Sequence, residues 1–416
     1  MQAVFDKVRS GTWLTGHWYR LITLTSLMYG IVTLGLLIIG AKGFTSADGM
    51  ILGPDFSEIW AAGRSVLNGK PALPFEINAH YELQKQLFGE SALLLGWCYP
   101  PFLLLVATAL ATMPYVPALI VWQGATFAAY VAVMRRIAPP ALALLAILAF
   151  PGALVNIVNG HNGFMTAALI GGGMYFLDKR PIVAGICIGC LSYKPQFGML
   201  IPLALAAGGY WRTIFSASAT VAVLIAVSLA LFGVETWMAF FDNLKWTREV
   251  VLEQGSTGFY KMQSVFAAAR MYGAPVSLAW AVQTVATLLT AVALAWLWNS
   301  KADVRLKRAA LIASTILATP YSLDYDLTAL APAIAFAACY GREKGFRPYE
   351  VSVLALVWIM PPWTRFIAFQ FYCPLGLLST AAMFALILAR AAEDGARLPW
   401  HADAWRWPLP LRGAAH

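Results

Sequence analysis

Charged residues are scarce in this sequence: they make up 12% of its 416 residues, whereas 60% are hydrophobic. A soluble domain carries about 25% charged residues, so this chain lacks the side chains needed to cover a water-exposed surface. Apolar runs close to the ~20 residues that cross a bilayer recur from end to end. These runs are continuous rather than alternating, which excludes a membrane β-barrel. The sequence therefore predicts an all-α polytopic membrane protein.

Cysteine is also rare, with five residues in the whole chain. Cys187 and Cys190 have CxxC spacing, but they lie in the apolar stretch AGICIGC without a second pair or a nearby His. Packing is therefore favoured over metal or redox chemistry. The sequence has no G-x-G-x-x-G or P-loop motif and no acidic cluster of metal-site spacing. No nucleotide-binding domain, metal or other cofactor is expected, and the polar, basic residues 1–20 do not resemble a signal peptide.

Basic residues are not lacking, and the net charge of +9 needs an explanation. A nucleic-acid partner is rejected because no basic stripe with interleaved aromatic residues is present. Instead, Lys and Arg form short clusters between apolar runs, as the positive-inside rule requires of cytoplasmic connections. The connections poor in Lys and Arg are then external, and they include VNGHNG at 158–163, SYKPQ at 192–196, TPYSLDYD at 319–326 and MPPWTRFIAFQFYCP at 360–374.

The apolar runs predict one integral-membrane domain over residues 1–416, with about twelve spans and both termini in the cytoplasm. Several runs are shorter than a bilayer, and short helices persist only where protein or a water-filled cavity satisfies their ends. The middle of the chain is therefore expected to surround a cavity on the external side. The predicted parts are a first span at 19–41, an external loop at 42–98, central spans at 99–232, an external loop at 233–274, C-terminal spans at 275–390 and a cytoplasmic tail at 391–416.

The first external loop contains the segment GPDFSEIWAAGRSVLNGKP at 53–71. Its apolar residues recur at helical spacing, which predicts a helix over 55–68 that Gly69 and Pro71 terminate. A second helix is predicted over 76–88. Because they follow a span directly, these helices are expected to lie in the membrane interface rather than project into water.

Asp55 and Glu58 begin the first of these helices, and two interpretations stay open. They form a capping pair, in which Asp55 accepts backbone N–H groups and Glu58 reaches back, or they place a carboxylate for chemistry. Arg64, on the same helix, is an external cation that is either solvated or part of a site.

Other candidate site residues lie in the predicted external connections. Lys194 follows an apolar helix, and an ionisable residue near the membrane suggests a function, although a lysine that reaches towards lipid headgroups is the alternative. His161 is either a pocket hydrogen-bond donor or a loop histidine. Asp324 either begins a helix or contacts sugar hydroxyls. Tyr99 either shapes the start of a helix or packs against a sugar ring.

Together, these segments resemble glycosyltransferase family 87, whose members are bacterial integral-membrane enzymes of the GT-C type. The family includes the mycobacterial polyprenol-phosphate-mannose-dependent mannosyltransferases. The resemblance extends over about residues 20–390 and depends on the order and spacing of PDFSEIWAAGRSVLNGKP after the first span, WCYPP at 97–101, GHNGF at 160–164, AGICIGCLSYKPQ at 184–196, MQSVF at 262–266 and TPYSLDY at 319–325.

The resemblance implies a GT-C-like bundle and a sugar transfer on the external face of the bacterial cytoplasmic (inner) membrane. It implies a polyprenyl-phosphate donor that carries mannose or another hexose, a lipid or glycan acceptor, and surrounding membrane lipids as the other partner. A β-linked donor attacked in line would give inversion with a single carboxylate base. No metal would be required, because a lipid-phosphate donor does not demand one.

The resemblance also implies roles for individual residues. Asp55 matches the family's catalytic base in the first external loop, and Glu58 is a second acid in reserve. Residues at the other matched motifs would bind the donor phosphate and sugar: His161 and Asn162, with His in place of the family's Gln; Lys194 of the Lys-Pro pair; Gln263, whose preceding family Asn is Met262; and Tyr325, which follows Asp324 and stands where the family usually has a phosphate-handling His.

Two other classes of protein remain as alternatives. A multi-span transporter or flippase of lipid-linked saccharides also uses many spans and a few buried charges, but its key acids usually lie at the midplane and its halves often match. No such repeat is detected. Another membrane transferase, such as a polysaccharide ligase or an acyltransferase, is not excluded on physical grounds.

Overall fold

The computed structural model describes residues 2–138 and 141–395, and this part of the chain is α-helical without β-strands. The predicted all-α fold class is therefore confirmed. The described helices are α1 Gln2–Ser10, α2 Gly16–Ile39, α3 Pro54–Leu67, α4 Ile77–Phe88, α5 Leu104–Ala111, α6 Tyr115–Ile137, α7 Ala141–Leu148, α8 Pro151–Asn159, α9 Gly163–Phe176, α10 Pro181–Cys190, α11 Ile201–Ala207, α12 Trp211–Trp246, α13 Val265–Met271, α14 Val276–Asn299, α15 Val304–Ala318, α16 Leu330–Lys344, α17 Glu350–Ile359, α18 Pro361–Phe371 and α19 Leu375–Glu393.

Five helices in the described residues are long and apolar enough to cross a membrane: Gly16–Ile39, Tyr115–Ile137, Trp211–Glu253, Val276–Asn299 and Leu375–Glu393. A sixth candidate is the pair α17 and α18, which bend by 83° at their junction. Shorter apolar helices, among them Gly163–Phe176 and Pro181–Tyr193, lie between them. These helices are typical of a multi-pass membrane protein, whereas the figure of about twelve crossings stays a prediction.

The predicted external loop over 233–274 begins at a kink rather than at a helix end. Gly233 has φ 79°, a left-handed conformation that glycine adopts readily, and it bends α12 without terminating it. The helix continues to Trp246 and passes into a π-helical turn over Thr247–Glu253. Much of this segment is therefore helical.

The segments predicted to be external meet at one end of the bundle. His161 hydrogen-bonds to Lys194, Lys194 pairs with Asp326, and Asp324 pairs with Arg365. These residues come from all four of the connections quoted above, and Asp324 and Asp326 share one of them. The connections that are poor in Lys and Arg, and were therefore predicted to lie on the same side of the membrane, are thus found at the same end of the bundle.

The basic clusters gather at the opposite end of the bundle. Ion pairs there join Arg308 to Asp178 and Arg305 to Glu343, and the backbone N–H of Tyr349 donates to the carbonyl of Arg9. Helix α16 runs between the two ends. The predicted tail over 391–416 lies outside the described residues from 396 onward.

Both helices predicted in the first external loop are present, as α3 and α4. The polar face of α3 does not face water, however: Ser57, Glu58 and Ser65 are buried along with the apolar face. The predicted capping pair is wrong, because Gly53 is the N-cap and no side chain caps the helix. Asp55 instead stands in the first turn, where the helix dipole favours a negative charge.

Candidate functional site

Four ionisable side chains from four separate segments form a compact cluster. Asp55 Oδ2 lies 3.2 Å from His161 Nδ1, and His161 Nε2 lies 3.1 Å from Lys194 Nζ. Lys194 Nζ lies 2.5 Å from Asp326 Oδ1. Three of these side chains are closed to solvent, and Asp55 alone is partly open, at 18% exposure. The cluster therefore has one accessible member, a carboxylate.

Two glycines bring Asp55 and His161 together. Gly53 and Gly160 both have positive φ, 63° and 68°, and their backbones cross in direct contact. A Cβ on Gly160 would lie 2.9 Å from the Cα of Gly53, closer than such atoms approach. Since side chains rarely adopt this φ and nothing larger than hydrogen fits, both positions require glycine. The crossing sets the spacing between the acid and the imidazole.

Lys194 determines which nitrogen of His161 carries the proton. An ammonium group can only donate, so His161 Nε2 must accept from Lys194 Nζ. Burial and the nearby Lys194 charge hold the pKa of His161 well below its usual range, which keeps the ring neutral. The proton of the neutral ring is then on Nδ1, the nitrogen that faces Asp55. The ring of Tyr325 stacks on the imidazole with centroids 3.6 Å apart and fixes its plane.

Asp55 is poised for proton transfer. Its buried Oδ2 has no well-aligned hydrogen-bond partner among the described residues, and neither does the facing Nδ1 of His161. Burial raises the pKa of Asp55 to about 6, although Arg365, Lys194 and Lys261 oppose the rise. A base works best when its pKa lies near the operating pH. This carboxylate is therefore charged at neutral pH and still able to accept a proton.

Glu58 lies on α3 one turn after Asp55, and its side chain is buried. Burial, and then the charge of Asp55, raise the pKa of Glu58 well above its usual range. Two nearby carboxylates with pKa values pushed apart are commonly a neutral acid and a charged base. Glu58 thus favours the neutral form, while Asp55 carries the charge.

A second charged group flanks Asp55. Arg365 donates from Nε to Asp324 Oδ2 at 2.7 Å and from Nη2 to Asp324 Oδ1 at 3.0 Å, a bidentate geometry. Asp324 is buried, whereas Arg365 is 38% exposed, so part of the guanidinium faces outward. Burial, and then the charge of Arg365, lower the pKa of Lys261, and the nearby charges of Asp324 and Asp55 oppose this fall. The backbone N–H of Gln263 donates to the carbonyl of Ser322 at 2.7 Å and joins the two segments.

The remaining predicted residues divide into neighbours of the cluster and one distant residue. Asn162 Nδ2 donates to the Tyr99 hydroxyl at 2.8 Å, directly beside His161 in the chain. Gln263 is buried, and its Oε1 has no hydrogen-bond partner in the described part of the chain. Arg64 lies at the opposite end of α3 from Asp55 and contacts the ring of Trp60 at 5.5 Å. The structure therefore does not bring Arg64 to the cluster.

Sequence reasoning did not assign Asp326, Arg365 and Lys261 to the site. Like Asp324, Asp326 had two interpretations, a helix start or contact with sugar hydroxyls, and it does accept the backbone N–H of Leu323 with Oδ2. Its other oxygen holds Lys194. The sequence did contain a signal for these residues, because acidic and basic residues occur in different external connections. Such charged side chains have to be paired if they are buried. In the described residues no three His, Cys, Asp or Glu side chains are arranged for a metal, and independence from metal stays a prediction.

Comparison with known protein families gives a match. The sequence model of glycosyltransferase family 87 matches residues 97–320, more than half of the chain. The match includes Tyr99, His161, Asn162, Lys194 and Gln263, whereas Asp55 precedes it and Asp326 follows it. No curated protein and no solved structure matches the chain.

Proposed function

The chain belongs to glycosyltransferase family 87 and is a membrane glycosyltransferase, and we propose that it transfers a hexose from a polyprenyl-phosphate donor to a hydroxyl group of a lipid or glycan acceptor. Asp55 is the general base. Mannose is the proposed hexose, on the strength of the family resemblance. The predicted external connections that meet at the site support a reaction on the external face of the cytoplasmic membrane.

The observation that carries this proposal is the state of Asp55. It is the one partly open carboxylate of a cluster whose other members are buried, and burial raises its pKa to about 6. A base for acceptor activation needs this combination of access and proton affinity. The helix-capping role that competed with it is absent.

The surrounding residues support the rest of the reaction. The acceptor oxygen attacks the anomeric carbon, Asp55 takes its proton, and the bond from that carbon to the phosphate oxygen breaks with its electrons on the phosphate. Attack opposite the departing phosphate inverts the anomeric centre. Positioned cations stabilise the charge that develops. The proposed cations are Arg365 and Lys261, whose charges act on Asp55, and Lys194, which retains one N–H after donating to Asp326 and His161.

His161 supports the base rather than replacing it. With its proton on Nδ1, the neutral ring presents a donor to Asp55 Oδ2 and leaves Oδ1 for the acceptor hydroxyl. Asn162, which follows His161 in the chain, and its hydrogen-bond partner Tyr99 are proposed to contact the sugar.

The test is a transfer assay with the purified protein in liposomes. Polyprenyl-phosphate mannose, the glucose analogue and a nucleotide-activated mannose are supplied separately with a membrane lipid extract as the acceptor source. We expect transfer from a polyprenyl-phosphate hexose and loss of transfer in Asp55→Asn. Transfer from the nucleotide sugar alone, or full activity of Asp55→Asn in folded protein, would overturn the proposal.

A further inference from the structure

One cavity of the structure lies away from Asp55. A groove of about 840 Å³ lies between α1, α2, α6, α7, α16 and α17, towards the basic end of the bundle. Its volume is within the roughly 300–1,000 Å³ of ligand pockets. The lining is predominantly apolar and includes Tyr19, Ile22, Ile334, Ala338, Leu354 and Trp358.

Helix α2 forms one side of this groove and packs against little of the rest of the protein. Only 6% of its spanning window is buried inside the protein, compared with 50% for Leu375–Glu393. Among the described helices, α2 contacts mainly α7 and α8. A groove with such a wall opens sideways to the hydrocarbon of the bilayer, where an alkyl chain can enter it.

One cation lines the basic end of the groove. Arg342, near the end of α16, is exposed and forms no ion pair within the described residues. Other arginines at this end do have carboxylate partners: Arg305, Arg308, Arg347 and Arg390. Even the neighbouring acid, Glu343, is paired with Arg305 rather than with Arg342. Arg342 is therefore an uncompensated positive charge next to an apolar channel.

The charge of Arg342 is too far from the proposed reaction site to serve it. Sixteen residues of largely helical chain separate Asp326 from Arg342, which is about 24 Å at 1.5 Å per residue. A donor that presents its phosphate beside Asp55 cannot place the same phosphate on Arg342. An anionic group at Arg342 belongs to a different lipid, from the leaflet at the basic end.

We propose that the groove binds one anionic glycerophospholipid of that leaflet, with an acyl chain along the apolar lining and its phosphate group at Arg342. Ser10, Thr12 and Ser352 make the same end polar, although the Ser10 hydroxyl donates to the carbonyl of Asp6 and the Ser352 hydroxyl to that of Val8. Ser352 also accepts from the Trp13 indole at 2.7 Å, which ties the segment before α2 to α17 at this end of the groove.

Native mass spectrometry of the full-length protein in detergent tests the proposal. Phosphatidylglycerol, chain-matched phosphatidylcholine and a polyprenyl phosphate are titrated separately and in competition. The variants are Arg342→Gln, which removes the charge, and Ala338→Phe, which fills the groove. The matched controls are Arg135→Gln, an exposed arginine at the same end that does not line the groove, and Ala281→Phe, which adds the same bulk to an exposed face of α14.

We expect one phosphatidylglycerol per chain, with affinity about fivefold lower in Arg342→Gln, the effect of one basic residue on an anionic lipid. Ala338→Phe abolishes the one-to-one complex, and both controls retain it. Equal binding of phosphatidylcholine, unchanged binding in Arg342→Gln, or preferential displacement by the polyprenyl phosphate would overturn the proposal. Sugar transfer is not the readout, so this outcome is independent of the proposed reaction.

Discussion

Lys194 and Asp326 form an ion pair at 2.5 Å although 132 positions separate them in the chain, and both side chains are about 3% exposed. A buried ion pair contributes little net stability, because removing two charges from water costs about as much as their attraction returns. The geometry indicates what it does instead. Lys194 is held where it can only donate to His161, and His161 is thereby held with Nδ1–H towards Asp55.

The first prediction concerns the base. Asp55→Asn keeps the size and the buried position of the side chain but cannot accept the proton, so transfer falls by about 10²–10⁴-fold. Initial rates with a polyprenyl-phosphate hexose measure it. Asp48→Asn, an exposed acid in the same loop, is the control and retains activity. A folded Asp55→Asn variant with normal rates would contradict the assignment.

The pH dependence of the rate follows from the pKa of Asp55, which burial raises to about 6. Since the charged form is the base, the rate should be level at neutral pH and fall about tenfold per unit as the pH drops below 6. His161 has a pKa lowered by burial and stays neutral over this range, so it adds no step. Initial rates from about pH 4.5 to about pH 8 would show the single inflection. A flat profile would exclude Asp55.

The same shift predicts a stability effect. The pKa of Asp55 rises from 3.8 to about 6 on folding, so the folded state binds the proton more tightly. Its contribution is fully present below pH 3.8 and is lost as the pH rises through 6. Asp55→Asn removes this loss and should raise the thermal midpoint at pH 7, by the equivalent of about 1–3 kcal/mol. Melting in detergent at pH 5 and pH 8 should show a larger gain at pH 8.

Substitutions of His161 test whether its N–H donor or only the size of its side chain matters for transfer. His161→Gln retains an N–H donor, matches the residue usual in the family, and should keep transfer within about tenfold of the original rate. His161→Ala leaves Asp55 Oδ2 and Lys194 Nζ without this neighbour and should lose about 10²-fold or more. Equal rates for the two variants would show that the imidazole is a spacer.

The ion pair gives a prediction about folding and donor binding. Lys194→Met leaves Asp326 charged and unpaired in a buried position, which costs about 3–5 kcal/mol. Adding Asp326→Asn removes the charge while preserving an acceptor for the Leu323 N–H. The double variant should melt near the original protein yet require higher donor concentrations. If its donor dependence were unchanged, Lys194 would be a purely structural residue.

Much of the architecture was predictable because composition and charge act over long stretches. The apolar runs required helices, and the distribution of Lys and Arg separated the connections of the two ends. The grouping of His161, Lys194 and Asp324 at one end follows from that pattern. It needs no knowledge of which helices touch.

The pairings within the site were not predictable, because each depends on two segments far apart in sequence. Asp326 resembles an ordinary helix start, and only the position of Lys194 shows that its second oxygen has a partner. The orientation of α3 was not predictable either. Its polar residues indicate a face in water, but the helices around it bury Ser57 and Glu58. Arg64 was included because of its charge alone, and the geometry of α3 directs it away.

The contact between Gly53 and Gly160 has a consequence for how relatives of this protein diverge. Because two main chains meet without side chains between them, the distance between the acid and the imidazole is set by this backbone contact. It does not depend on which amino acids line the rest of the site. Lining residues can therefore be exchanged for new sugars or acceptors while the proton-accepting centre keeps its position. Evolution of specificity and preservation of the base are separable here, provided that these two positions never acquire a methyl group.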